Sequence, residues 1–384
     1  MVDYSMYGFE ENPFAREIHN VKMIDREEEW ARLKVIAEEY LRSPSCTFTV
    51  VFGDYGFGKS FFLYKMEEAF TRNHEFAALP APVLALRLKI TEAQFREPYI
   101  SDLFKRIVRR IGRERLLKMA KKGSTGLHEL EPGLATVLAE LPTDNGDSAW
   151  NWLVGRKVLT SDMRKLGVSF KVDDYGEIHT VFSDFLRFIR ISGYCGIVLL
   201  LDELEYMLSI ASEKQVKTLL HEYQRIWDSF NEMSQEERSK FASVLLVFAS
   251  SPDAWQKFLE FAEKARDERG GGGTETFLRR IARDAMITLS PLRSKKQVRD
   301  LLVDRMQFYR KGTTPTDPLW PFKDDYLDFV RRVSWGIPSK IINYSALTLR
   351  ESALSHTRSI SASTAEKVLR NYNILIELKQ TAGE

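Results

Sequence analysis

Apolar residues along this chain switch between two periods. Short continuous runs recur at Thr47–Phe52 (TFTVVF), 82–88 (PVLALRL), Ile197–Leu201 (IVLLL), 242–249 (ASVLLVFA) and Met286–Leu289. Runs this short, bounded by polar residues, predict strands buried on both faces. Between them apolar positions return every three or four residues. Trp30, Leu33, Ile36 and Ala37 do so in a helix from about Arg26 to Leu41. Leu103, Phe104, Ile107, Val108 and Ile111 do so within a helical stretch from Phe95 to about Leu141. Further helices are predicted over Glu177–Ile191, Lys214–Phe230 and 253–264. Strands alternating with helices up to residue 290 predict a parallel sheet with right-handed crossovers. Beyond it only helical periods remain, at about 294–309, 323–333, 338–354 and 363–377. Gly, Pro and Asp residues break residues 123–180, and Gly270–Gly273 read as a mobile loop.

Composition narrows the class. The 384 residues are enough for a large core and a second domain. Apolar content of 44% and charged content of 29% are those of a soluble globular protein. A net charge of +2 announces no nucleic-acid partner, so any basic surface must be local. Cys46 and Cys195 adjoin buried strands and give neither a metal site nor a disulfide framework. The leading MVDYSMYGFEENPF is acidic and lacks the apolar core of a signal peptide, and no apolar run approaches membrane-spanning length. A cytoplasmic protein is expected.

One stretch carries recognisable chemistry. The first strand runs into Gly53-Asp54-Tyr55-Gly56-Phe57-Gly58-Lys59-Ser60, the G-x-x-x-x-G-K-S phosphate-binding pattern, and Phe61 opens the helix that follows. Glycines let backbone N–H groups turn inward on anionic oxygens, and the helix N-terminus points at the same place. Lys59 is expected on the β- and γ-phosphates and Ser60 on Mg²⁺, which makes ATP with Mg²⁺ the expected ligand. Asp202-Glu203 ends the most apolar strand, where open parallel sheets bind ligands. Asp202 is expected to orient Mg²⁺ through water, and Glu203 to polarise the attacking water. Two acids there also suit a helix N-terminus.

Four further groups have two readings each. Ser250 and Ser251 end the next strand, as a γ-phosphate sensor, a helix N-cap, or both. Arg279, Arg280 and Arg283 supply either an arginine finger for a neighbouring subunit or a solvated basic face. Lys340 follows Gly336-Ile337-Pro338, either aimed at the nucleotide or exposed. Lys105, Arg106, Arg109, Arg110 and Arg113, continued by Arg115, Lys118, Lys121 and Lys122, suit either a DNA backbone or water.

Taken in order, phosphate loop, LLLDE, serine at the fourth strand tip, Arg-rich helix and helical lid resemble an AAA+ ATPase, and their order resembles the Orc1/Cdc6-type initiator clade. Asn12-Pro13-Phe14 with Ile24-Asp25-Arg26-Glu27 is similar to that clade's leading segment, which implies that Asn12, Phe14 and Arg26 lie near adenine. LLLDELE, Trp150–Gly155, Lys165–Val168 and the small-residue–Pro tip of the fourth strand are similar to BREX-type P-loop ATP-binding proteins over roughly residues 10 to 345. The resemblance implies an additional-strand P-loop sheet of order 5-1-4-3-2 with a C-terminal helical lid. It implies a leading segment over 1–25, an ATPase domain over 26–291 with a helical insertion at about 95–190, and a lid over 292–384. Ser339 stands where initiators carry a lid arginine, with Lys340 one position on, and the residues after Lys340 do not make up a winged helix.

The reading is a switch ATPase, self-assembling into an oligomer, that loads or regulates a helicase or nuclease on DNA in processing or genome defence. A STAND-like signalling ATPase that assembles on a protein ligand without DNA is the second class. A module that holds ATP structurally is the third, and the intact Lys59, Asp202 and Glu203 oppose it.

Overall fold

The computed structural model describes the chain except residues 1, 15–20, 73–75, 77, 90–98, 170, 173–174, 211, 268–284, 313–314 and 376–384. The apolar runs become β1 (Cys46–Phe52), β2 (Val83–Lys89), β3 (Gly196–Asp202), β4 (Ser243–Ser250) and β5 (Met286–Thr288). They form one parallel sheet in the order β2-β3-β4-β1-β5, the expected 5-1-4-3-2 read from its other edge. Every residue of β3 and β4 is buried, which is why their sequences are apolar throughout rather than alternating. Register aligns the strand ends, with Phe52 beside Ser250 and Lys89 beside Asp202. The C-terminal ends of β1, β3 and β4 therefore share one edge of the sheet.

The helices in chain order are α1 (Glu27–Arg42), α2 (Lys59–Arg72), α3 (Tyr99–Ile111), α4 (Arg113–Lys122), α5 (Pro132–Glu140), α6 (Gly146–Leu153), α7 (Thr160–Lys165), α8 (Tyr175–Ile191), α9 (Leu204–Ile210), α10 (Glu213–Glu232), α11 (Gln235–Arg238) and α12 (Pro252–Asp267). After β5 come α13 (Lys295–Tyr309), α14 (Asp324–Ser334), α15 (Pro338–Leu354) and α16 (Ala362–Asn371). The expected helical stretch up to Leu141 is broken. Gly112 takes φ 81°, a conformation costly for residues with a side chain, and separates α3 from α4. Pro132 then opens α5 at its first turn.

The chain divides into two compact units that cut across the expected domain boundaries. One comprises Trp30–Phe52 and Leu63–Thr288 and holds the sheet. Its core joins Phe48, Tyr223 and Phe248 of β1, α10 and β4 to Leu103, Phe104 and Ile107 of α3. The other comprises Met1–Glu29, Gly53–Phe62 and Leu289–Glu384. Its core joins Tyr7, Phe9 and Phe14 of the leading segment to Leu302, Tyr326 and Ile341 of the lid helices. Tyr7 Oη donates to Thr357 O, and Lys311 N–H donates to Gly8 O at 2.9 Å. The leading segment is thus part of the lid unit.

Candidate nucleotide-binding site

Gly53–Ser60 connects β1 to α2. Gly56 and Gly58 take φ 88° and 93°, so both glycines are needed for the loop's path. The Gly58 Cα faces open space immediately before Lys59: a side chain built there meets nothing within 4 Å. Gly53 is crowded instead, with an added Cβ 3.2 Å from Phe57 Cβ and 3.3 Å from Leu289 Cβ. Lys59 Nζ curls back to Gly53 O at 2.7 Å and Asp54 O at 3.4 Å. Asp54 and Ser60 are exposed, Tyr55 is 92% exposed, and Phe57 and Phe61 are half-buried. The open glycine, the lysine and the first-turn serine fit a phosphate group. Among the described residues no group of three or more His, Cys, Asp or Glu could hold a metal ion.

The three leading-segment residues expected near adenine each make contacts within the chain. Asn12 Nδ2 donates to Ala346 O at 2.8 Å, and its Oδ1 accepts from Phe14 N–H at 3.0 Å. Phe14 packs edge-to-face on Phe322 in the lid core. Arg26 is 6% exposed, and burial lowers its pKa. Its guanidinium donates to Phe57 O and Ser290 O. Lys340 is half-buried in the first turn of α15.

On the sheet unit, Asp202 is buried at the end of β3, and its Oδ1 accepts from Glu203 N–H at 3.0 Å. Glu203 follows in the left-handed region, φ 68°. A non-glycine residue there costs about 1–3 kcal/mol and marks a position held by its surroundings. Its carboxylate pairs with Lys89 Nζ at 3.0 Å. The pair raises the Lys89 pKa, chiefly through that hydrogen bond. Lys89 was not among the residues expected at the site. Its signal in the sequence is a charge ending an otherwise apolar strand, in register with Asp202. At the tip of β4, Ser250 Oγ donates to Ser251 O at 2.9 Å, and Ser251 Oγ accepts from Ala254 N–H at 3.3 Å. Ser251 thus serves as the N-cap of α12, the second of its two expected roles.

The basic face on α3 needs correction. Helix α3 is buried on nearly every side, and Lys105 is 3% exposed with its stem laid over Gly155. Arg106 pairs with Asp102 at 2.5 Å, and Arg109 donates to Val154 O at 2.6 Å. Arg110 pairs with Glu67 at 2.6 Å and Arg113 with Asp147 at 2.5 Å. Lys105 is thus buried, whereas Arg109, Arg110 and Arg113 make contacts within the chain and stay exposed. Lys118, Lys121 and Lys122 on α4 are exposed. Arg279, Arg280, Arg283 and Gly270–Gly273 lie outside the described residues.

The Aeropyrum pernix ORC2 protein, solved with ADPNP and ADP, superposes with a TM-score of 0.53 at 13% identity, covering 94% of this chain and 72% of that one. The chain has the AAA+ fold. The A. pernix ORC1 protein, solved with DNA, matches at 11% identity and TM-score 0.48, covering 95% and 70% of the two chains. Cdc6p from Pyrobaculum aerophilum matches at 13% and 0.43, covering 94% and 68%. The family model described as BREX system ATP-binding protein BrxC/D matches residues 138–260. That is less than half of the chain and narrower than the span of the sequence resemblance. It takes in Trp150–Gly155, β3 with Asp202-Glu203, and β4, but not the phosphate loop. No curated protein sequence matches. Both resemblances hold: AAA+ initiators in fold, and the BREX ATP-binding family over the matched segment. Among the described residues no helix is long and apolar enough to cross a membrane.

Proposed function

We propose that this chain is an AAA+ switch ATPase that binds and hydrolyses ATP and works on DNA, loading or regulating a helicase or nuclease in processing or genome defence. The observation that carries the ATPase reading is the glycine loop and Lys59 after β1, with a buried Asp202 and a projecting Glu203 after β3 of the same sheet. When bound, Mg-ATP supplies the scissile phosphoanhydride and a charge-neutralising cation. Lys59 would bind anionic phosphate oxygens, and Ser60 and Asp202 would hold the cation directly or through water. Glu203 accepts a proton from the attacking water at a carboxylate oxygen. For that it must leave Lys89, whose exposed pairing is worth less than about 1 kcal/mol. An arginine finger from Arg279 or Arg280 would tie turnover to self-assembly.

The DNA role is supported by the exposed Lys118, Lys121 and Lys122 on α4. The signalling reading also has an observation in its favour: Arg106, Arg109, Arg110 and Arg113 are engaged within the chain. One experiment separates them. ATPase rate with and without duplex DNA is measured alongside mass in ATP and in ADP. DNA stimulation with ATP-dependent assembly supports the loader; assembly with no DNA response supports the signalling switch.

A further inference from the structure

A loop that binds phosphate through its N–H groups turns its carbonyls away, and each buried carbonyl then needs a donor elsewhere. Three carbonyls of this loop are met locally. Gly53 O accepts from Lys59 Nζ, Asp54 O from Phe57 N–H at 3.2 Å, and Gly58 O from Phe62 N–H at 2.8 Å. Two are met from far away in sequence. Gly56 O accepts from Ser339 N–H at 3.2 Å, in the first turn of α15. Phe57 O accepts from Arg26 Nη2 at 3.4 Å. The same nitrogen donates to Ser290 O at 2.7 Å, just after β5, and Nη1 donates to Asp25 O at 2.8 Å. Space is as tight as the bonding. A Cβ on Gly56 would lie 2.1 Å from Ser339 Oγ and 3.0 Å from Ile337 Cγ2.

We infer that Arg26 and Ser339 are positioning residues that hold the phosphate loop in its binding shape and link nucleotide affinity to the seating of α15. The inference rests on the proposal that the loop binds nucleotide. It gives Arg26 a backbone-holding task in place of an adenine contact. It also lets a main-chain N–H join the lid to the loop at the position where initiators carry an arginine side chain. Gly56 is then demanded by α15 as well as by the loop's φ.

The test is the Kd of a fluorescent ATP analogue, measured on the full chain well below its melting temperature. Arg26→Ala removes two donors at once and is expected to raise Kd about tenfold or more. Arg26→Lys keeps the charge but cannot span both carbonyls, so its Kd falls between the two. Ser339→Pro deletes the N–H together with the hydroxyl and is tolerated sterically in a helix's first turn; it is expected to raise Kd severalfold. Ser339→Ala keeps that N–H and raises Kd less. If Arg26→Ala fails to fold, the Lys and Pro variants carry the test. Folded variants that bind within twofold of wild type overturn the inference and leave the nucleotide reading standing. A wild-type chain that does not bind the analogue overturns both.

Discussion

At the scale of single residues, the site divides between groups that meet phosphate and groups that hold them. Lys59 is the loop's cation, so Lys59→Ala is expected to weaken ATP binding on the order of a hundredfold, read by equilibrium titration. Glu203 is held at φ 68° and paired to Lys89. A carboxylate oxygen that accepts from an ammonium must release it before it can accept from water. Lys89→Ala should therefore raise kcat on the order of two- to fivefold while leaving KM nearly unchanged; a fall in kcat would show that Lys89 assists turnover. The loop Gly53–Ser60 was legible from its spacing, and Asp202-Glu203 from their place at the end of an apolar strand. Lys89, Arg26 and Ser339 were not read in these roles, because each acts through a contact to a residue remote in sequence. The same blindness affected Asn12 and Phe14, whose motif gave no sign that they pack into the lid core.

At the scale of elements, the sequence served strands and lid helices well. Buried parallel strands leave uninterrupted apolar runs, and the lid helices carry strong start signals such as Ser294, Pro338 and Ser361. The insertion was less legible. A helix buried on nearly all sides mixes charged and apolar residues, so the charges of α3 read as a surface. Two element-scale outcomes follow. Gly336 takes φ 71°, and a Cβ there would lie 2.2 Å from Leu292 O, a backbone atom. Gly336→Ala should destabilise the lid unit by roughly 1–3 kcal/mol, measured by chemical denaturation. Tyr7 anchors the leading segment, and burial pushes its phenol up to about 12. Because the folded value exceeds the unfolded one, the stabilisation is fully present below about pH 10. It is lost as pH rises through about 12. Denaturation at pH 9 and pH 11.5 should show this loss in wild type and a smaller one in Tyr7→Phe.

At the scale of the whole molecule, the phosphate loop belongs to the lid unit and the acid pair to the sheet unit. The expected boundaries followed the order of elements along the chain, whereas the compact units follow packing, and no local sequence signal reports that. The near-zero net charge leaves DNA binding to local surface. If the lysines of α4 contact phosphates, reversing Lys118, Lys121 and Lys122 should weaken duplex binding and flatten its salt slope by about three. Unchanged affinity and slope would assign that surface to solvent. The central claim is that this AAA+ chain hydrolyses ATP with Glu203 as the base. It is tested most directly by single-turnover ATP hydrolysis of wild type against Glu203→Gln. The account predicts ATP affinity within a few-fold of wild type and a hydrolysis rate lower by about a hundredfold or more. Equal rates in the two proteins, or no hydrolysis by wild type under any assembled condition, would contradict it.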